Sequence, residues 1–280
     1  MAPGSAEARR RLAEEARRLR ECLMADLEAG IDWIPWEGRS PAERLAAPPA
    51  PSVPTPTPAS RPPLPPPRSA PPRDLSLAAK ERALAAVAAE VAVCTACKLC
   101  GGRTNTVPGE GNPGAAVMFV GEGPGEQEDL SGRPFVGRAG QLLRTLIKEE
   151  LGLDPSEVFI ANIVKCRPPG NRAPEPDEAA ACLPFLRRQV AAVRPRIIVT
   201  LGNPSTQSLL QTTVGITKLR GKPVQKGGFL FFPTYHPSYL LRNQAALPDG
   251  RADFRAVRTL LRKGEEGAPP PSLVPPRREG

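Results

Sequence analysis

The chain has 280 residues and a formal net charge of +9, and 37 of its residues are proline, about 13% against a usual ~5%. No stretch nears the ~20 apolar residues of a membrane helix, residues 1–20 lack the apolar core of a secretory signal, and 6 cysteines are too few for a disulfide scaffold. What remains is an intracellular chain whose cysteines are thiols or metal ligands, with most of its positive charge in residues 81–260, which suits an anionic partner such as nucleic acid.

Residues 7–29 read as a helix, because Leu12, Leu19, Leu23 and Leu27 recur at helical spacing among charges. Ile31, Trp33, Ile34 and Trp36 follow as a short apolar patch that either covers its own helix or docks on a partner protein. Residues 1–40 therefore form an N-terminal unit. Residues 41–80 hold 14 prolines, so 41–74 cannot bury a core and reads as an extended, disordered linker. The proline-containing tail 264–280 reads the same way. The folded domain is expected at 75–263.

Within that domain helices and strands alternate. Residues 76–93 are Ala-rich and helical, 117–120 are a buried strand ending at Gly121, 137–150 an amphipathic helix, and 158–164 a second strand. A helix over 177–193, a strand over 196–201, a short helix over 203–210, a strand over 229–233 and a helix over 252–262 complete the series. Strands separated by helices pair in parallel through right-handed crossovers. The expected fold is α/β, a three-layer α/β/α domain around a four-stranded, mainly parallel sheet. Ligands in such sheets sit beyond the carboxyl ends of the strands.

Those ends carry chemistry. After the first strand stands Gly121-Glu122-Gly123-Pro124-Gly125, a turn that lets backbone approach a ligand closely. It lacks the Lys-Ser/Thr of a phosphate-binding loop and the spacing of a dinucleotide fingerprint. The second strand carries Asn162, whose amide can read an edge presenting C=O beside N–H, then Lys165, Cys166 and Arg167. After the last strand comes Thr234-Tyr235-His236-Pro237-Ser238-Tyr239-Leu240-Leu241-Arg242, with the single histidine of the chain. Ser238 and Arg242 suit phosphate contacts, and Leu240 or Leu241 suits an apolar wedge in a duplex. Each residue alone has a bland structural explanation; their combination does not.

The cysteines are spaced Cys94-x2-Cys97-x2-Cys100, then Cys166-x15-Cys182, with Cys22 far away. Such spacing reads as a four-thiolate metal site, with an iron–sulfur cluster, a structural zinc or no metal at all as the options. The long gap between Cys97 and Cys166 departs from a zinc ribbon.

Taken together, the Gly121–Gly125 turn with Glu128 and Asp129, the run Gly132-Arg133-Pro134-Phe135-Val136-Gly137, the block Asn162-Ile163-Val164-Lys165-Cys166-Arg167-Pro168-Pro169 with Asn171 and Arg172, and the His236-to-Arg242 run resemble family 4 uracil-DNA glycosylases. The resemblance covers roughly residues 93–262. It implies cleavage of the N-glycosidic bond of deoxyuridine, with uracil flipped out of DNA and an abasic site left for base excision repair. It implies Glu122, Asn162 and His236 as catalytic, and Gly123, Gly125, Phe135, Asn162 and His236 around uracil. DNA contacts fall to Ser238, Leu240, Leu241, Arg242, Lys165 and Arg220. A structural [4Fe–4S] cluster falls on Cys94, Cys97, Cys166 and Cys182, with Cys100 outside the pattern. Glu122 either belongs to the uracil pocket or positions water. The resemblance further implies a monomer acting on uracil-containing DNA, expected in the cytoplasm with the nucleoid; it says nothing about residues 1–75, and for residues 1–40 the hypothesis is a tether to a repair or replication protein. The competing readings are a uracil-DNA binder that traps its product, and a scaffold acting through residues 1–40. The segment 216–222, short and without histidine, disfavours trapping, and Glu122 disfavours a family 5 glycosylase.

Overall fold

The computed structural model describes residues 76–265. The N-terminal unit 1–40, the linker 41–74 and the tail beyond 265 lie outside the described residues. Ser76 caps the first helix, α1 (Leu77–Ala92), by accepting from the Ala79 N–H. Then come β1 (Glu110–Gly111), β2 (Val117–Gly121), α2 (Glu126–Ser131) and α3 (Arg138–Leu146), which runs into a π-helical turn over Ile147–Leu151. They are followed by β3 (Phe159–Asn162), α4 (Pro176–Val193), β4 (Ile197–Leu201), α5 (Gly202–Leu210) and α6 (Ile216–Leu219). The series closes with β5 (Val224–Lys226), β6 (Phe229–Thr234), α7 (Pro237–Arg242) and α8 (Leu247–Glu265). No helix among the described residues is long and apolar enough to cross a membrane.

The sheet has six strands, not four, in the order β1-β3-β2-β4-β6-β5. The four central strands are parallel, as the alternation of elements requires, and β1 and β5 add antiparallel edges. Two residues for β1 and three for β5 are too short to show a period of two. The β5–β6 hairpin nonetheless had a local signal: Gly227 and Gly228 both take positive φ, as a tight two-residue turn needs.

Successive residues of β2 point to opposite faces. Val117 and Phe119 pack with Leu143 and Leu146 of α3 and Phe254, Val257 and Leu261 of α8. Met118 and Val120 pack with Leu186, Val190 and Val193 of α4 and Leu209 of α5. Both faces are thus covered, and the strand is fully buried along its length. The chain moves from β2 to β3 on one side and then to β4 on the other. The resulting crevice at the carboxyl ends of the strands is where such folds bind ligands.

Candidate functional site

The loops after β2, β3 and β6 enclose a cleft of about 340 Å3. Glu122, Gly123, Gly125, Phe135, Asn162, His236, Ser238 and Arg242 line it, so eight residues singled out in the sequence share one place. Glu128, Arg138, Asn171 and Arg172 line it as well.

Asn162 is the last residue of β3 and is 2% exposed. Its Oδ1 is buried without a hydrogen-bond partner among the described residues. A buried acceptor left open is costly unless a ligand satisfies it. Gly121, paired with Asn162 in the sheet, makes room for it: a Cβ there would lie 2.4 Å from Asn162 Oδ1 and 2.6 Å from Phe135 Cζ. Phe135 is buried, takes an unusual positive φ of 53°, and stands with its ring 5.9 Å from that of His236.

Phe135 is held by a residue that sequence reasoning quoted but gave no role. Glu128 Oε1 accepts from the Val136 and Gly137 N–H groups, both at 2.9 Å, and Oε2 accepts from Gly125 N–H at 3.2 Å. One carboxylate therefore ties the Gly-rich turn to the Phe135 segment. The signal was legible as a helix-start pattern, with Glu three residues after the Gly125 N-cap. It also means that the Gly125 N–H, expected to face uracil, is already engaged.

His236 has its tautomer set locally. The Ser238 N–H donates to Nδ1 at 3.1 Å, and Ser238 Oγ lies 2.8 Å from the same atom. Nδ1 is then an acceptor, so the ring proton of the neutral form sits on Nε2. Burial, aided by the Arg242 charge, lowers the ring's pKa to about 4. Glu122 moves the other way: burial raises its carboxyl, which has no hydrogen-bond partner among the described residues.

Three of the expected DNA contacts lie elsewhere. Lys165 is 1% exposed, and its ammonium donates to the Asn162 carbonyl and Gln189 Oε1. Burial lowers its pKa to about 8. Leu240 is 1% exposed and packs in the core, so it is no wedge; Leu241 is half-buried beside it. Arg220 is spent on Asp253 at 2.7 Å and on the Asp249 carbonyl at 2.8 Å, with its guanidinium over the Tyr235 ring. It braces the loop that carries His236 rather than meeting a phosphate. Ser238 and Arg242 remain at the cleft.

On the far side of β3, Cys94, Cys97, Cys100, Cys166 and Cys182 line a small hollow of about 10 Å3. Arg103 donates to Cys166 Sγ at 3.3 Å and to the Cys94 carbonyl at 2.8 Å, and the Lys165 N–H donates to Cys182 Sγ at 3.3 Å. Burial pushes the Cys97 and Cys166 thiols up, and that of Cys182 to about 11. Among the described residues no three His, Cys, Asp or Glu side chains close on a single-ion site. The chemistry of the donors fits a thiolate-bound group: five sulfurs line one hollow, and those of Cys166 and Cys182 already accept N–H bonds of the kind that stabilise thiolates.

A family model described as the uracil DNA glycosylase superfamily matches residues 108–262. A type-4 uracil-DNA glycosylase of Sulfurisphaera tokodaii is 51% identical over 179 residues, 61% of this chain and 81% of the relative. One of Thermotoga maritima is 52% identical over 157 residues, 55% of this chain and 81% of the relative. A type-5 enzyme of Pyrobaculum aerophilum is 31% identical over 178 residues, 58% of this chain and 76% of the relative.

Proposed function

The chain belongs to the uracil DNA glycosylase superfamily, and from that premise we infer how its own residues perform the excision. The protein is a hydrolase of N-glycosyl bonds that removes uracil from DNA in repair. A base inside a duplex is out of reach, so deoxyuridine must be flipped into the cleft. Phe135 stacks on the flipped ring, a contact worth about 1–3 kcal/mol. Asn162 Oδ1 accepts the N3–H of uracil and its amide N–H donates to O4. Cytosine offers an acceptor at N3 and a donor at C4, so it meets like groups.

As the C–N bond lengthens, the sugar becomes cationic and negative charge grows on the base. His236 donates its Nε2–H to O2 as a neutral imidazole, needing no proton from solvent. Fixed donors aimed at developing charge are often the largest catalytic contribution. Glu122, a carboxylate with no partner of its own, orients the water that attacks the sugar. Gly123 lets the turn pass close to the loop after β3, since a Cβ there would lie 2.8 Å from Val164 Cγ2. Arg242 holds a flanking phosphate, joined by Arg138, which also lines the cleft, while Ser238, both of whose donors go to Nδ1, orients the His236 ring.

Cys94, Cys97, Cys166 and Cys182 would hold a [4Fe–4S] cluster. Bound there, it would join the end of α1 to β3 and α4 without taking part in the hydrolysis. Residues 1–40 are assigned to contact with a repair or replication protein.

The observation that carries this reading is the open, buried Asn162 Oδ1 beside Phe135 and a histidine whose proton is fixed on Nε2. The test is release of uracil from a single-uracil oligonucleotide by anaerobically purified protein, read as alkali-labile cleavage. His236→Ala is expected to cost on the order of a hundred- to a thousandfold in rate. Removing residues 1–75 should leave release from short oligonucleotides unchanged. A stable protein–DNA adduct without turnover would overturn the glycosylase in favour of a trapping protein.

A further inference from the structure

Lys165 is almost fully buried, yet no step of the reaction uses it. Lysine is seldom buried unless paired, and here the pairing is with neutral acceptors rather than a carboxylate. Its ammonium donates to the backbone carbonyl of Asn162 at 2.9 Å and to Gln189 Oε1 at 2.7 Å. Gln189, on α4, is itself fixed by donating to the Pro108 carbonyl at 2.6 Å. The Lys165 carbonyl accepts from the Val107 N–H at 2.8 Å, and its N–H goes to Cys182 Sγ.

The partner of the ammonium is the informative point. Asn162 ends β3, and the next residue continues the ladder by donating from Ile163 N–H to the Gly121 carbonyl. The carbonyl of Asn162 goes instead to Lys165. The peptide plane after Asn162 is therefore held at two points, one from each side. That plane sets where the Asn162 side chain leaves the backbone. A reading group must be held within a fraction of an ångström to discriminate, and its supports matter as much as the group.

We propose that Lys165 is a positioning residue for base recognition: its buried ammonium locks the strand-end carbonyl of Asn162 and so holds the amide that reads uracil. This rests on the reading of Asn162 given above. A methionine would fill the same space with no charge to desolvate, a gain that offsets the cost of leaving the Asn162 carbonyl and Gln189 Oε1 without this donor. The lysine is then kept for orientation rather than for stability.

The test is a double-mutant cycle on Lys165→Met and Asn162→Ala, read as single-turnover uracil release, with iron content and melting temperature measured on each purified protein. Lys165→Met is expected to slow release by about ten- to a hundredfold, the loss of one hydrogen bond to a charged group. Iron content should match that of the wild type, and the melting temperature should stay within a few degrees of it, the loss of two acceptors' donor set against the charge no longer buried. In the Asn162→Ala background the same change should add little, because a residue that acts through another is non-additive with it. Where Lys165→Met does not fold, Gln189→Met serves in the same cycle, with a smaller loss and the same non-additivity expected. Wild-type rates for Lys165→Met, losses that multiply with those of Asn162→Ala, or loss of iron together with activity would each overturn the proposal. Should Asn162→Ala itself release uracil at the wild-type rate, the recognition role of Asn162 fails first, whatever Lys165 does.

Discussion

His236 reaches the cleft with its proton placed by its neighbours. The Ser238 N–H, two residues on, cannot do anything but donate, so Nδ1 must accept and Nε2 must carry hydrogen. Protonating Nδ1 would break that contact and bury a second positive charge near Arg242. The fold therefore holds the ring neutral, with a pKa of about 4 against 6.5 for the free side chain. Between those two values the unfolded chain binds a proton at this ring and the folded chain does not. Stability must then fall as pH drops through that window, with ~3 kcal/mol lost from this group by about pH 4. Urea titrations at pH 7 and pH 4.5 check it: the wild type should lose more stability between the two than His236→Asn, which has no ring to titrate. Equal losses would mean that the imidazole is not held neutral. Nothing in the residue string gives this tautomer. It depends on the turn that Pro237 opens, where the ring of His236 caps the N–H of Ser238.

At the scale of elements, the cleft is made by the meeting of β2 and β3. Gly121 and Asn162 are paired residues, and the missing Cβ of Gly121 is the space in which the Asn162 amide and the Phe135 ring stand. Gly121→Ala should therefore push both groups, lowering kcat/KM for uracil release and, by overpacking a buried strand, the melting temperature by several degrees. Circular dichroism melts beside the release assay check this; wild-type kcat/KM would mean that the cleft has slack there. The central strands and the loops after them were legible in the sequence because buried parallel strands are short apolar runs, and the residues that follow them are polar or glycine. Edge strands were not, since Glu110–Gly111 and Val224–Lys226 are shorter than the period they would have to display. The role of Lys165 was hidden for a different reason. Lys-Cys-Arg reads as a basic, solvent-facing stretch until Gln189, 24 residues on, arrives from α4 to cover it. Leu240 and Leu241 likewise look alike in the string. Only the packing of α7 against α3 and α8 sends Leu240 into the core.

Across the whole molecule, the charge of +9 overstates what a phosphate backbone can meet. Of the six basic residues Lys165, Arg167, Arg172, Lys218, Arg220 and Arg242 in the segments after β3, α5 and β6, Lys165 is buried, and Arg220 is bound to Asp253. Arg172 is clamped bidentately by the buried Glu178, and Arg167 is turned to Asn171 and Glu126. Arg242 and Arg138 line the cleft without an ion pair among the described residues, and Lys218 is exposed on α6. Each phosphate neutralised contributes about −0.9 to the slope of log K against log salt on duplex DNA. About two to three contacts give a slope near −2 to −3, whereas all six would give about −5. Fluorescence anisotropy of a labelled duplex across a salt series measures the slope directly. Arg242→Ala should make it shallower by about one and weaken binding equally for all sequences, the mark of a phosphate contact. A slope near −5 in the wild type would require Arg167 and Arg172 to leave their partners on binding. The loop after β3 would then change its ion pairs, rather than present a finished surface, when DNA arrives.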